Sequence, residues 1–578
     1  MQQKKYFFIK KVKVKYVTMK KFYFITLLLL TFFIPSQAFS ISEADLILSS
    51  NNVLTMAGVK KSEPLGIAIV GKKIVWVGDI NQSKKIKGKH VNYGNKAIAP
   101  GLIDAHGHAS YVAFATQVAN VASPPVGPVK TIADLQNEIK QFIKVKNLKP
   151  GEWVIGLGYD DSLLKEQRHP TKKDLDEIST LNPIFLIHVS SHLGTASSLA
   201  LSLTNINSET QDPPGGVIRR YKNSSEPNGV LEETAVYPLQ MQVMSSHKDP
   251  LGSVIKAMEV YAKNGITTAQ DGASNPQSIE LLQAANDQGK LNIDVIAYPI
   301  GQNESDDYVR SLNIGKYDGR LKIGGIKLIL DGSPQGKTAY LTKPYFIPPH
   351  NQNKNYKGYP LIPQKTVNQL INLYSMAKIP IMAHANGDAA ADMLIEAIDK
   401  AAINYDHRTI MIHAQTVRED QIDAMKKLGI IPSYFSTHTF YWGDWHRDSV
   451  FGKDRAMRIS PTHSTLSRNM PFTVHNDAPV VPPDMIRLLW STTNRITRSG
   501  KTLGEDQKIS TYDALKAMTI NAAYQHFEDD IKGTIEVGKL ADLVVFSQDP
   551  LNMATENLLN LKVVATYSHG KQIFINKE

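Results

Sequence analysis

The hydrophobic residues of this chain fall into short runs separated by polar segments that contain glycine and proline. Near the N-terminus such runs predict strands at residues 44–48, 66–70 and 74–78, the last two joined as a hairpin. The other end of the chain has the same pattern, and the segments 533–546 and 563–574 predict a strand and a closing hairpin. We therefore expect the two ends to pair in one small β-sandwich domain.

Between the two ends, apolar runs alternate with stretches of helical period, which is the pattern of a βα-repeat. Several of these runs end at an ionisable residue, and the C-terminal strand ends of a (β/α)8 barrel build its active site. The strands predicted here are residues 153–158, 184–189, 323–330, 379–383, 409–412, 430–434 and 472–474.

These patterns predict an α/β fold, in which a distorted TIM (β/α)8 barrel accompanies the β-sandwich. The expected domains are the N-terminal part of the sandwich at 39–99, the barrel at 100–529 and the C-terminal part of the sandwich at 530–578. The stretch from residue 110 to residue 320 is too long for barrel units alone, which predicts an inserted subdomain near 200–240.

The first 38 residues account for most of the net charge. They contain eight lysines and no acidic residue, which leaves +3 of the +11 net charge for the rest of the chain. The rest has no basic stripe with interleaved aromatic residues, so we expect no nucleic-acid partner. A small-molecule substrate is the expected partner, and the sequence leaves homo-oligomerisation open.

The same 38 residues have the order of a signal peptide. Lys20 and Lys21 precede the apolar run 22–34, and small residues at 36 and 38 form a cleavage site before Phe39. Met19 is an alternative start. An uncleaved membrane anchor is the other interpretation, but the run is short for a span of about 20 residues. We expect an exported protein, periplasmic or secreted, with no stable membrane span after cleavage.

The chain has no cysteine, which excludes disulfides, thiolate metal ligands and a cysteine nucleophile. A metal site in this chain therefore depends on nitrogen and oxygen ligands. No Gly-x-Ser-x-Gly motif supports a serine hydrolase, and no glycine-rich phosphate loop occurs between a strand and a helix.

His106 and His108 come shortly after an apolar run that ends at Ile103. Side chains at positions i and i+2 of a strand project to the same face, so the two imidazoles are placed to bind one metal ion. Imidazole nitrogen is a good ligand for zinc and similar divalent metals. Taken alone, the pair is explained equally well as two polar residues that cap a strand and as two metal ligands.

Four later residues extend this pair, because each lies in or at the end of a predicted strand. Lys327 lies inside an apolar run, where a lysine is ion-paired, chemically modified or extended towards solvent. His384, His413 and Asp477 follow apolar runs at their C-terminal ends. Each is unremarkable by itself, but together they predict one metal cluster at the strand ends of the barrel.

The order His-x-His, Lys, His, His, Asp resembles the amidohydrolase superfamily, and the close match is its amidohydrolase-3 branch, the YtcJ-like proteins. The resemblance covers nearly the whole mature chain. The motifs that carry it are residues 99–108, 331–339, 384–388, 413–415, 477–480 and 533–543.

The resemblance implies a metal-dependent amidohydrolase that hydrolyses a non-peptide C–N bond of a small molecule with metal-activated water. An amide, an N-formyl group or a cyclic amide is the implied substrate. By the same resemblance, Asp477 is the catalytic general base. The implied metal ligands are His106, His108 and Asp477 for the more buried ion, and His384 and His413 for a second one. Zn²⁺ is the expected metal, as one or two ions.

Lys327 bridges both ions as a carbamate in this interpretation. Weaker candidates for substrate binding are His192, Glu232, Asp331, His438 and Trp442. Each has an ordinary structural alternative, such as a strand-end residue, a turn cap or a packed loop.

The sequence departs from the commonest family pattern at a few positions. Ile412 stands where many members carry Glu, Ala389 stands where many carry Arg, and His475-Asn476 replaces Gly-Ser. These changes affect the identity of the substrate more than the assignment of the hydrolytic residues. Two alternatives therefore stay: a deaminase of a cyclic amidine or amine with one metal, and a non-catalytic exported binding or regulatory protein.

Overall fold

An eight-stranded sheet combines strands from both ends of the chain. The computed structural model describes residues 41–245, 249–349 and 352–577, so the predicted signal peptide lies outside the described residues. Ala97–Pro100 pairs antiparallel with Leu543–Phe546, which joins the two ends directly. The strands of this sheet are Glu43–Val53, Glu63–Val70, Lys73–Asp79, Lys87–Asn92, Ala97–Pro100, Leu543–Phe546, Val563–Ser568 and Lys571–Ile575.

Hydrophobic residues from both ends form one core in this sheet. Leu48, Ile67 and Ile98 from the first part pack with Val545 and Ala565 from the last part, and all five are fully buried. Burial of apolar surface stabilises such a core by roughly 25 cal/mol per Å². The two ends of the chain therefore stabilise each other.

Eight parallel strands among the described residues follow the order of a (β/α)8 barrel. They are Leu102–Ile103, Ile266–Ser274, Asp294–Pro299, Ile326–Ile329, Ile381–Ala385, Ile410–His413, Ile431–Tyr434 and Thr473–Val474. The first three share a sheet with Tyr317–Asp318 and Leu321–Ile323, and the last five form a second sheet. A parallel bridge between Ile300 and Lys327 connects the two sheets.

The first and last of these strands meet at the carboxyl ends. The N–H of Asp477 donates to the carbonyl of His106 at 3.1 Å, and the N–H of His108 donates to the carbonyl of Ala478 at 2.8 Å. These two backbone hydrogen bonds bring together candidate ligands that are more than 300 residues apart in the sequence.

Helices cover the barrel strands. Asp388–Ala401 is typical, because its buried residues Ala390, Leu394, Ala397 and Ile398 recur at helical spacing and face the core. The α-helices are Ile80–Ser83, Ala109–Ala115, Ile132–Lys146, Lys172–Asp176, Ser198–Leu203, Tyr237–Ser245, Pro250–Lys263, Pro276–Asp287, Asp306–Ser311, Gln364–Met376, Asp388–Ala401, Glu419–Leu428, His438–Tyr441, Gly443–Trp445, Lys453–Ala456, Thr462–Leu466, Met485–Asn494, Thr511–Ala517 and Ile520–Gln525.

Short helical turns of other types complete these elements. Thr234–Val236, Glu505–Gln507 and Thr555–Asn560 are 3-10 turns, and His446–Val450 is a π-helical turn. Across the described part of the chain, we find no helix whose length and apolar character would let it cross a bilayer.

A six-stranded sheet is inserted between the first and second barrel strands. Its strands are Ala119–Asn120, Val154–Tyr159, Ile184–His188, Leu193–Ala196, Gly216–Arg220 and Pro227–Glu233. The prediction that residues 153–158 and 184–189 are barrel strands was wrong, since both belong to this sheet. They are buried throughout, and a buried apolar run does not reveal which sheet it joins.

Two barrel strands were not predicted at all. Ile266–Ser274 contains Thr267, Thr268, Gln270 and Asp271 among its buried residues, so it lacks the apolar run of a barrel strand. Asp294–Pro299 begins with a carboxylate and ends at a proline. The inserted sheet extends from Ala119 to Glu233, well beyond the predicted segment 200–240.

Candidate metal centre

Three side chains from the ends of barrel strands form the centre of the site. Ligand atoms of His106, His413 and Asp477 all lie within 4.8 Å of one another. The carboxylate of Asp477 is 3.5 Å from His106 Nε2 and 3.9 Å from His413 Nε2. His108 joins the group, because its Nε2 lies 3.0 Å from Asp477 Oδ1. The His-x-His pair and the aspartate, predicted from distant parts of the sequence, therefore meet at one point.

Electrostatics keep the aspartate ionised. Burial alone would raise the pKa of Asp477, but the hydrogen bond to His108 and the neighbouring imidazoles outweigh burial and hold this pKa well below its ordinary value. Burial also lowers the pKa of His106 and of His413 well below the ordinary histidine value. An anionic carboxylate and neutral imidazoles are the protonation states that bind a metal ion.

Lys327 contacts this group from the fourth barrel strand. Its Nζ lies 3.2 Å from His106 Nε2, and the residue is 1% exposed. Burial lowers the pKa of Lys327 to about 7, although Asp477 opposes the shift. Among the described residues, no carboxylate lies within ion-pair distance of its amine. A lysine in this position has an amine that is readily deprotonated.

His106 is held in one orientation by Gln270. The side-chain amide of Gln270 donates to the carbonyl of Ala105 at 2.9 Å, so its oxygen faces His106 Nδ1 at 2.5 Å and accepts from it. The other ring nitrogen, Nε2, then faces Lys327 and Asp477. Gly272 makes room for this ring, because a Cβ there would lie 2.4 Å from His106 Cε1.

His413 is oriented in a similar way by His475. His413 Nδ1 lies 3.2 Å from His475 Nε2, and His475 Nδ1 lies 2.8 Å from the hydroxyl of Ser433. Burial lowers the pKa of His475 to about 3, so its ring is neutral. Partners of this kind fix the tautomer of a ligating histidine and direct its other nitrogen to the metal.

His384 lies beside the three-residue group rather than within it. Its ring centroid is 4.5 Å from that of His413. Its Nε2 lies 3.2 Å from the side-chain amide of Asn386. Its buried Nδ1 lies 3.2 Å from Asp331 Oδ1 but, among the described residues, lacks a partner with hydrogen-bond geometry.

Asp331 connects two loops instead of facing a cavity. It is fully buried, and its carboxylate accepts hydrogen bonds from the backbone N–H groups of Tyr340, Asn386 and Gly387 at 2.8–2.9 Å. These contacts occupy both carboxylate oxygens. The position favours a role in holding the loop that follows His384 over direct contact with a substrate.

The donor set fits a divalent metal. It offers imidazole nitrogens and a carboxylate within the spacing that a single ion spans, and zinc and related metals take such ligands. His384 adds a further imidazole next to this set, with Nδ1 3.2 Å from Asp331 Oδ1 and Nε2 3.2 Å from the Asn386 amide.

His192 lies near the site, on the inserted sheet. Its ring centroid is 5.3 Å from that of His384, and its Nδ1 lies 2.6 Å from Glu233 Oε2. Burial would lower the pKa of His192, but the Glu233 carboxylate outweighs burial and raises it. The predicted neighbour Glu232 forms an ion pair with Arg219 instead.

His438 and Trp442 pack against Phe435, whose ring centroid is 6.0 Å from that of His413. His438 is buried against Phe435 and lies 2.8 Å from His446 through ring nitrogens. The indole of Trp442 donates to Asp160 at 2.7 Å and lines a cavity of about 370 Å³ with Pro479 and Val480. That cavity has mostly apolar walls, and among the described residues its lining includes none of the six candidate ligands.

Sequence reasoning missed three residues of this site. Gln270 lies on a barrel strand whose polar residues concealed it, so no signal marked it. His475 stands two positions before Asp477 and was noted only as a departure from the family pattern. Glu233 is adjacent to Glu232, and the sequence alone does not tell which of the two carboxylates reaches the site.

Comparison with known proteins agrees with this geometry. The model of the Amidohydrolase family matches residues 89–574. The N-substituted formamide deformylase of Arthrobacter pascens is 27% identical over 547 residues, covering 91% of this chain and 97% of that protein. The putative amidohydrolase YtcJ of Bacillus subtilis (strain 168) is 24% identical over 505 residues, covering 84% of this chain and 90% of that protein.

A solved structure gives the same fold. An uncharacterized metal-dependent hydrolase from Pyrococcus horikoshii OT3 matches with a TM-score of 0.69 and 23% identity, covering 88% of this chain and 99% of that one. The α/β fold is thus of the TIM-barrel type found in these hydrolases. The family match over most of the chain, together with the ligand set at the strand ends, shows that this protein belongs to the amidohydrolase family.

Proposed function

We propose that this protein hydrolyses N-substituted formamides or closely related small secondary amides. The wider activity, metal-dependent hydrolysis of C–N bonds other than peptide bonds, follows from the family and from its deformylase relative. The observation that carries the proposal is the convergence of His106, His413 and Asp477 at the strand ends, with His108 and Lys327 in contact.

Asp477 performs the proton transfers in this mechanism. A divalent metal, when bound, polarises the substrate carbonyl and lowers the pKa of water. The Asp477 carboxylate accepts a proton from the attacking water as the new C–O bond forms. It then gives that proton to the amide nitrogen as the C–N bond breaks, which releases an acid and an amine. Gln270 and His475 keep the imidazoles oriented throughout.

Zinc and a carbamate on Lys327 are the finer parts of the proposal. Nitrogen and oxygen ligands without thiolate suit Zn²⁺, and the amine of Lys327, with its pKa near 7, is nucleophilic enough to react with carbon dioxide. We expect Lys327→Ala to lose most activity and short carboxylic acids to restore part of it. Full activity of Lys327→Ala without added acid would contradict the carbamate.

Export is proposed from the N-terminal sequence alone. Protein recovered from the cell envelope should begin near Phe39 when its N-terminus is sequenced. A terminus at Met1 or Met19 on soluble cytoplasmic protein would contradict cleavage.

A substrate panel with metal analysis tests the activity. We expect the wild type to release formate and amine from N-alkyl or N-benzyl formamides, and to lose this activity after chelation. His106→Ala and His413→Ala should lose both bound metal and turnover while the circular dichroism spectrum is kept.

Two other outcomes would change the conclusion. Release of ammonia from cyclic amidines, with one metal per chain, would indicate a deaminase. A fully metallated protein that turns over no member of the panel would indicate a binding or regulatory protein.

A further inference from the structure

We propose that Glu233 is a positioning residue that fixes the ring of His192, so that His192 Nε2 hydrogen-bonds the scissile amide group beside His384. The inference rests on the proposed function, because it assigns a substrate contact in that reaction. It also gives the inserted sheet a direct part in the active site.

Two hydrogen bonds connect Glu233 with His192. The backbone N–H of Glu233 donates to the carbonyl of His192 at 2.7 Å, and His192 Nδ1 donates to Glu233 Oε2 at 2.6 Å. His192 directly precedes the strand Leu193–Ala196, which pairs antiparallel with the strand Pro227–Glu233. The imidazole is therefore fixed through both the main chain and the side chain.

Glu233 is held in an unfavourable state. It is 3% exposed, and its Oε1 has no hydrogen-bond partner among the described residues. Its φ of +48° lies in the left-handed region, which costs a residue with a side chain on the order of 1–3 kcal/mol. A buried acceptor without a partner costs about 1–3 kcal/mol more. Strain of this kind is concentrated at functional sites.

The barrel leaves room for this carboxylate. Gly332 follows the fourth barrel strand, and a Cβ there would lie 2.4 Å from Glu233 Oε1. Any other residue at position 332 would therefore displace Glu233. The contact joins the inserted sheet to the loop that begins at Asp331.

The geometry determines which atom of His192 is available. Since Nδ1 faces the carboxylate, Nε2 is the free nitrogen, and within the described part of the chain it has no hydrogen-bond partner. The side chain is 20% exposed and its ring lies 5.3 Å from that of His384. A substrate bound at the ligand cluster therefore comes within reach of Nε2.

Single and double variants test this coupling. Loss of a residue that orients another typically costs about 10- to 100-fold in activity, so we expect Glu233→Gln to lower kcat/KM by that factor. His192→Ala should lower it at least as much. The double variant should be no worse than His192→Ala, because Glu233 acts through His192. Metal content should stay at the wild-type value in all three.

Two further variants serve as comparisons. Glu226→Gln changes an exposed carboxylate that pairs with Lys172 near the same strand, and its activity should equal that of the wild type. Glu233→Asp keeps the charge with a shorter reach, and we expect it to recover part of the activity that Glu233→Gln loses.

The proposal is overturned if Glu233→Gln lowers kcat/KM by the same factor in the wild-type and His192→Ala backgrounds. It is also overturned if Glu233→Gln loses metal, since Glu233 would then act on the ligand cluster.

A measurement without turnover separates this proposal from the proposed function. In protein with ¹⁵N-labelled histidine, His192→Ala identifies the His192 ring signals. A change of those nitrogen shifts in Glu233→Gln is expected. Unchanged shifts contradict the positioning role even if the amides are hydrolysed, whereas a failed substrate panel with changed shifts contradicts only the proposed function.

Discussion

In the proposed mechanism, Asp477 both binds the metal and transfers the proton. Its carboxylate contacts His108 and faces His106 and His413, and these neighbours keep it ionised. Asp477→Asn keeps the size but removes the base. Because loss of a general base typically costs about 10² to 10⁴ in rate, we expect kcat to fall at least about 100-fold. Steady-state kinetics at saturating metal measure this, and a kcat within a few-fold of the wild type would assign Asp477 a purely structural role.

A substitution at Gly272 tests whether the His106 ring must keep its position for metal binding. A Cβ at this position would overlap the ring of His106, so Gly272→Ala should displace that ring and lower metal affinity by about 10- to 100-fold. Metal titration of the apo-protein gives the value. Gly289→Ala is a control for metal affinity alone, because its Cβ would meet nothing within 4 Å while its φ of +64° makes the substitution cost stability. Equal metal affinity in both variants would show that His106 does not need this space.

The candidate ligands could be proposed from the sequence because they lie at or near the ends of apolar runs. His384 and His413 each follow an apolar run, and this local pattern is enough to relate them to the strand ends of a barrel. Gln270 could not be found in this way, since it lies on a strand whose buried residues are polar. Glu233 could not be chosen over Glu232, because a one-residue change of register exchanges the faces of a strand.

At the scale of elements, Asp331 holds the loops after the fourth and fifth barrel strands. It accepts three backbone N–H groups from these loops. Asp331→Asn replaces one acceptor oxygen with a donor, which leaves a buried N–H without a partner at a cost of about 1–3 kcal/mol. We expect a lower Tm and at least about 10-fold lower kcat/KM, since His384 loses its support. If Asp331→Asn instead raised KM and left Tm and kcat unchanged, Asp331 would be assigned to substrate binding.

The order of the strands was predicted better at the two ends of the chain than between residues 110 and 320. The terminal strands alternate and turn at glycines, which is a local signal. The strands Val154–Tyr159 and Ile184–His188 are buried on both faces like barrel strands, so only tertiary pairing distinguishes them. Assignment to the barrel or to the insertion depends on contacts that the sequence pattern does not encode.

At the scale of the whole molecule, a buried ion-pair network joins the barrel to the last part of the chain. Lys532 Nζ lies 2.6 Å from Asp294 and 3.0 Å from Glu528, and Lys322 also pairs with Glu528. Lys532→Met would remove the cation shared by both carboxylates, while Asp294 keeps Arg320 and Glu528 keeps Lys322. We therefore expect a loss smaller than the about 3–5 kcal/mol that a buried charge left without any partner typically costs. We expect a clearly lower Tm by calorimetry. An unchanged Tm would show that the network adds nothing to stability.

The same network predicts a dependence on pH. Burial raises the pKa values of Asp294 and Glu528, but Lys532 and its neighbours outweigh burial and lower both. The stabilisation is therefore complete above the ordinary carboxyl pKa values of 3.8 and 4.5, and it is lost as the pH falls below them. The Tm difference between wild type and Lys532→Met should shrink from pH 7 towards pH 3. A constant difference would contradict this linkage.

The sheet shared by the two chain ends has a consequence for synthesis on the ribosome. Ala97–Pro100, which leads directly to His106, pairs with Leu543–Phe546, so it emerges long before its partner exists. At about 5–20 residues per second, this interval lasts on the order of tens of seconds. During that time the early strands present unpaired edges to other nascent chains. Synthesis of Leu543–Phe546 therefore controls when Ala97–Pro100, and with it His106, reaches its final place. A chain that terminates before Leu543 lacks this pairing.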